Sequence, residues 1–254
     1  VLAVLIAWYP FCPEAAELIV PTDYATIQAA INAAAAGDTV VVEPGTYQES
    51  LSLSTDGIAL RGREAARTFL SGGGGGPIVT VNSNVTVTVS SFTFINASTG
   101  IQVTAASHLG IVNNVFTLGA SGAAIMEQST PATGVSVVNN VFSGNGVAVS
   151  RDANITVRNN IFACNATAVA DTSNLSTNSS FNAFFSNAVD GPTGVNAVAG
   201  DPLFADPAWN NFLLQGVAPC DAGRPKAAFS DFHLQEGSPC IDAGNPSAGN
   251  DVID

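Results

Sequence analysis

Charge is what this sequence has least of. Asp, Glu, Lys and Arg make up 11% of it, with seven basic residues against twenty acidic ones and a formal net charge of −13. Such a surface repels phosphate backbones and anionic membranes, which excludes nucleic acid as an expected partner. An anionic polysaccharide is disfavoured too, unless metal ions bridge it. The two histidines are unclustered, and the four cysteines (Cys12, Cys164, Cys220 and Cys240) form no Cys-x-x-Cys pair, so a zinc or iron–sulfur centre is not expected. The N-terminal apolar run is about nine residues long, short of the roughly 20 that a spanning helix needs. A chain so poor in charge also lacks the residues with which helices solvate their outer faces. Stacked β-sheet, by contrast, can be clothed in the abundant Gly, Ser, Thr and Asn.

That run belongs to an apolar segment, residues 1–17, VLAVLIAWYPFCPEAAE. It resembles the tail of a signal peptide, although Glu14 at −3 makes a poor cleavage site before Glu17. Export or display at the cell surface is the expectation, with an uncleaved cap or subunit contact as the alternative. An exported chain can pair some of its cysteines, and buried free thiols are the other reading.

The middle of the chain is repetitive. Phe94, Phe116, Phe142, Phe162 and Phe184 close the segments SSFTF, NNVF, NNVF, NNIF and FNAF, at spacings of 22, 26, 20 and 22 residues. Five residues before the first four lie Val89, Ile111, Val137 and Val157, and two before those Val87, Leu109, Val135 and Ile155. Alternation of this kind is that of strands with one buried face. A second short strand follows each Phe, read at Ile101 and Val103, Ile125, Val147 and Val149, and Val169. Each repeat is therefore one coil of a parallel β-helix, in which equivalent side chains stand about 4.8 Å apart in ladders. The pairs Asn113–Asn114, Asn139–Asn140 and Asn159–Asn160 fall in one turn column, where amides can bond the coils above and below. Sugar binding by them requires exposure. Six Asn-x-Ser/Thr sequons, at Asn84, Asn96, Asn154, Asn165, Asn174 and Asn178, mark glycan acceptors only in a eukaryotic secretory route.

Before the repeats, Ile27, Ala30, Ile31 and Ala34 share one helical face, Gly37 is expected to stop the helix, and Thr39–Val42 reads as a strand turning at Pro44 and Gly45. The motif Asp23-Tyr24-x-Thr26-Ile27-Gln28-x-Ala30-Ile31, with Gly37-Asp38-Thr39-Val40 and Pro44-Gly45-Thr46-Tyr47, resembles the opening of pectate-lyase-like right-handed β-helix proteins. The resemblance implies an all-β, right-handed parallel β-helix over residues 18–254, whose short helix plugs the first coil and blocks edge pairing. From about residue 200, GDPLFADP and the stretches FLLQGVAPCDAGRP and FHLQEGSPCIDAGNP resemble a C-terminal module of secreted bacterial β-helix proteins. They are expected to add a coil pair. Phe212 and Phe232, and Cys220 and Cys240, are each 20 residues apart. One column on neighbouring coils would bring Cys220 and Cys240 to about 5 Å, within reach of a disulfide.

Chemistry is sparse. Glu127, Asp152, Asp171 and Asp190 follow the second strand of four successive coils, at spacings of 25, 19 and 19. One acidic column would raise carboxyl pKa values or recruit calcium, and its 5–10 Å separations span those of glycosidases. Solvated turn residues explain the same Asp usage. Arg151 and Arg158 are the basic residues beside it. A lyase similar to the superfamily's enzymes needs clustered acidic metal ligands and a basic catalytic group, for which Asp152, Asp171 and Arg158 are the candidates. Glu127, Arg151 and Asp190 are candidate binding residues. No Gly-His-Gly or Arg-Ile-Lys motif of the polygalacturonase kind is present, and His108 and His233 read as turn and outward residues. Asp242 and Asp251, in a tail with Asn245, Asn250 and Asp254, are candidate calcium ligands outside EF-hand spacing. The expected function is structural, adhesive or carbohydrate-binding, with polysaccharide or further copies of the chain as partner. A polysaccharide lyase or glycoside hydrolase is the alternative.

Overall fold

The computed structural model describes residues 15–73, 75–82, 84–104, 107–127, 134–151, 155–171, 179–201, 204–206, 231–234, 236–241 and 243, with backbone alone at 151, 171, 204–206 and 231–233. The strands from Glu17 to Ala199 build an all-parallel solenoid with three walls of eight, eight and six strands. A typical coil runs Thr86–Ser90 on the first wall, Thr93–Ile95 on the second and Thr99–Val103 on the third. Each strand then pairs with its equivalent one coil later.

Register confirms the repeat residue by residue. On the first wall Val87, Leu109, Val135 and Ile155 are Cα partners in succession, as are Val89, Ile111, Val137 and Val157, and all eight are buried. Phe94, Phe116, Phe142, Phe162 and Phe184 stack along the second wall with centroids 4.5–5.2 Å apart and planes within 15°. The β-branched content favours pleated strands, and the stacked rings fill the interior, with Phe92 set edge-on to Phe94 as a second buried ring on its rung.

The asparagine pairs divide the work of the corner. Asn113, Asn139 and Asn159 adopt left-handed φ of 56°, 58° and 55°, a conformation Asn tolerates better than most residues. Asn114, Asn140 and Asn160 turn inward, each fully buried, and the ladder continues at Asn182. Asn114 Oδ1 accepts from Phe92 N at 3.0 Å, and Asn114 Nδ2 donates to the carbonyls of Val89 and Val112. Asn114 N in turn donates to Asn140 Oδ1 at 2.9 Å, and the pattern repeats upward. A second ladder, Asn145, Asn165 and Asn187, bonds the carbonyls of Phe116, Phe142 and Phe162 at the next corner. Its sequence signal is an Asn three residues after the Phe. The sequon at Asn165 is thereby buried, with 2% exposure, and offers no acceptor in the folded chain.

The N-terminal end is closed as the resemblance implies. Helix Ile27–Ala33 buries Ile27, Ala30 and Ile31 against the core, and Thr26 caps it by accepting from Ala29 N. It ends before Gly37, because Asp38 Oδ2 takes the N–H of Ala35 at 2.8 Å and pulls the chain out of the helix. Gly37, with φ +97°, serves the turn that follows. Glu49 accepts from Ile27 N and Gln28 N, while the Gln28 amide accepts from Ser52 N at 2.8 Å and donates to Ser52 O at 3.3 Å, standing in for a neighbouring strand. The β-helix starts earlier than residue 18, with strand Glu17–Val20 paired to Thr39–Val42.

The C-terminal part departs from the expected coils. Phe204–Asp206 pairs antiparallel with Asp231–Leu234 through a register shift, so Phe232 lies in a separate two-stranded sheet and not on a further parallel rung. Phe212 lies outside the described residues. Leu234 packs on an apolar cluster formed by Val115, Val141, Ala163 and Cys164, on the outside of the second wall.

Candidate functional site

The residues singled out for chemistry fall at two corners of the coil. Glu127 ends strand Ala123–Glu127, in register with Val103 on the rung before, and is half-buried on the side of the strand that carries buried Ile125. Arg151 ends strand Val147–Arg151, and its Cα partner is Asp171, the end of Thr167–Asp171. The acidic column is therefore out of step by one residue: Arg151, not Asp152, stands opposite Asp171. The slip arises because Asp152 follows the last residue of its strand, whereas Asp171 is the last residue of its own. Asp152 lies outside the described residues.

Asp190 is exposed, accepts from Asn187 Nδ2 at 3.0 Å, and gives its carbonyl to Val169 N. Its backbone thus lies beside Val169 and does not extend the line of Asp171. Arg158 is exposed at the end of Ile155–Arg158 on the first wall, in register with Val138 and Ser180. It belongs to the corner before the second wall, whereas Asp171 belongs to the corner after the third. The width of the first wall separates them, so the structure does not gather Arg158 with the acidic residues.

His108 opens strand His108–Val112, exposed and in register with Thr86, a strand position and not a turn. The backbone of His233 lies in Asp231–Leu234. Asp242 and Asp251 fall outside the described residues, among which no group of three or more His, Cys, Asp or Glu is arranged to hold a metal. Charged pairs among the described residues include two at the N-terminal coils. Arg61 pairs with Glu17 at 2.9 Å and Arg63 with Glu43 at 2.7 Å, and the Glu43 hydrogen bond raises the Arg63 pKa. The N–H groups of Ala16 and Ala35 hold the Asp38 carboxyl below its ordinary range.

Cys240 is a free, half-buried thiol, so the expected Cys220–Cys240 bond is not formed; Cys220 itself lies outside the described residues. Burial pushes the Cys240 thiol pKa up. Cys164 is buried and disulfide-bonded. On the outer face of the first wall, Thr39, Thr88, Ser136 and Thr156 share one column of Cα partners with Ala59 and Gly110.

Residues 56–204, more than half of the chain, match the family model for the right-handed β-helix region. No curated protein and no solved structure matches the chain.

Proposed function

We propose, from the premise that the chain belongs to the right-handed β-helix family, that it acts outside the cell or at its surface as a rigid carbohydrate-binding scaffold. The observation that carries this reading is the first wall's outer face. Thr39, Ala59, Thr88, Gly110, Ser136 and Thr156 are Cα partners down successive rungs. Beside them runs a column of Arg61, Ser90, Val112, Val138 and Arg158.

Hydroxyls that donate and accept, with short apolar patches beside them, suit an extended sugar chain lying across the rungs. The net charge of −13 favours a neutral polymer over an anionic one. The disulfide at Cys164 supports an oxidising compartment. The alternative, cleavage of a polysaccharide through the acidic residues, draws less support: the Cα partner of Asp171 on the rung before is Arg151 and not a second carboxylate.

Retention on immobilised neutral and anionic polysaccharides tests the reading, with Thr88→Lys and Thr156→Lys placed on the wall. Binding to at least one neutral polymer, weakened about tenfold or more by the paired substitutions, is expected. Absence of retention on every neutral polymer, or retention indifferent to both lysines, rejects it.

A further inference from the structure

We propose that Asn145–Gly146 is a self-modification site that the folded coil holds shut and unfolding opens, so that a chain once unfolded is marked irreversibly by reaction with water. It is the chain's only Asn-Gly pair. Two separate demands of the fold place it there. The ladder at the corner after the second wall needs an Asn: Asn145 Nδ2 donates to Phe116 O at 3.0 Å and to Asn165 Oδ1 at 2.9 Å, while Asn145 Oδ1 accepts from Leu118 N at 2.9 Å. The next residue must be glycine, because a β-carbon on Gly146 would lie 2.5 Å from Ala120 O and 3.1 Å from Gly122 O. On the two following rungs the ladder residue is followed by alanine, as Asn165–Ala166 and Asn187–Ala188.

The reaction needs only water. The Gly146 backbone nitrogen loses its proton and attacks Asn145 Cγ, closing a five-membered succinimide; the Cγ–Nδ2 bond breaks, and Nδ2 leaves as ammonia with a proton from solvent. Water then opens the ring at either carbonyl, giving aspartate or an isoaspartate whose backbone runs through the side chain. Nothing is oxidised or reduced. Glycine favours the closure, because no β-carbon shields its nitrogen and its backbone turns freely. In the folded coil both partners are held. Asn145 is fully buried with its amide bonded at both ends, and Gly146 N donates to Gly119 O at 3.1 Å. Reaction therefore waits for the rung to open, an event whose frequency falls as the free energy of opening rises.

The product does not fit the rung. A carboxylate has no donor, so the oxygen that replaces Nδ2 would face Phe116 O and Asn165 Oδ1 where Nδ2 now stands 3.0 and 2.9 Å from them. Two acceptors at that distance repel it, and burying an unpaired charge adds a desolvation cost. The isoaspartate product lengthens the backbone by a methylene and shifts the register of Val147, which pairs with Ala123 and Thr167. Unfolding that outlasts the reaction thus becomes permanent.

The test incubates the full-length protein at mildly alkaline pH, either native or unfolded in guanidinium chloride without reductant, and maps it by mass spectrometry. Asn145 should convert to the acid about tenfold or more faster in the unfolded sample, with Asn165 and Asn187 slower than Asn145 in the same digest. Equal rates in the two states, or conversion in denaturant no faster at Asn145 than at Asn165, overturns the site. A partly converted sample returned to buffer and separated by size should then give a folded fraction depleted about tenfold or more in the modified chain, relative to the fraction that fails to fold. Equal modification of the two fractions overturns the mark. Asn145→Asp, made directly, should go with the fraction that fails to fold; a folded, β-rich Asn145→Asp protein overturns the mark as well.

Discussion

At the asparagine corner, two adjacent residues of one type do opposite things. Asn113 supplies a left-handed backbone, and its Oδ1 is buried with no partner, whereas Asn114 is bonded at both ends of its amide. Asn113→Gly keeps the conformation without the side chain and should leave stability within about 1 kcal/mol in a urea titration. Asn114→Ala strands Phe92 N and the Val89 carbonyl in the interior and should cost about 3 kcal/mol or more, since each buried orphan costs about 1–3 kcal/mol. Equal effects of the two substitutions would refute this division of roles. Asp38 carries a pH dependence of known sign. Its folded-state pKa is lowered, so its stabilising contribution is present above the ordinary Asp pKa of about 3.9 and is lost as pH falls through the folded value. The difference in melting temperature between the native chain and Asp38→Asn should be largest near neutral pH and close in acid. A difference that widens on acidification would contradict it.

From Phe94 to Phe184 each rung contributes one ring to the stack. Phe142 lies between Phe116 and Phe162 at 5.0 and 4.9 Å and is fully buried. Phe142→Ala should destabilise by about 3–5 kcal/mol, and Phe142→Leu, which refills much of the volume, by clearly less. Thermal unfolding of the two variants measures the gap. This column was legible in the sequence because a solenoid writes each ladder as one residue per turn, so Phe spacing and the Val and Ile positions before it name the partners directly. The Asn-Asn corner was legible for the same reason. The second ladder at Asn145, Asn165 and Asn187 was carried by the equally regular Phe-x-x-Asn spacing, masked by the wealth of other Asn residues. The acidic column slipped because Glu127 and Asp171 end their strands while Asp152 lies one residue past the end of its own, and register is set by pairing, not by counting. The repeated FLLQ and FHLQ stretches suggested stacked coils. Yet the described part of the second turns back antiparallel, a choice that local composition does not encode.

Over the whole molecule, edge control meets net charge. A stack of parallel strands ends in exposed N–H and C=O groups that template association. At the N-terminal end those groups are taken by the strand Glu17–Val20, the plug helix, and the side chains of Gln28 and Glu49, which occupy what a further coil would use. Deleting residues 15–37 removes the strand, the helix and Gln28, leaves Glu49 without its two backbone donors, uncovers Val40 and Leu53 at the end of the core, and should make the truncated chain associate more readily than the intact one. Repulsion between chains of charge −13 opposes that association at low ionic strength. Salt shortens the screening length to about 3 Å at 1 M and leaves backbone pairing and apolar contact to decide. The truncated chain should therefore grow in mass by light scattering as salt is added, while the chain that keeps the cap stays unchanged over the same range. A truncated chain of constant mass at high salt would mean that the charged walls, and not the cap, keep the end of the solenoid from pairing.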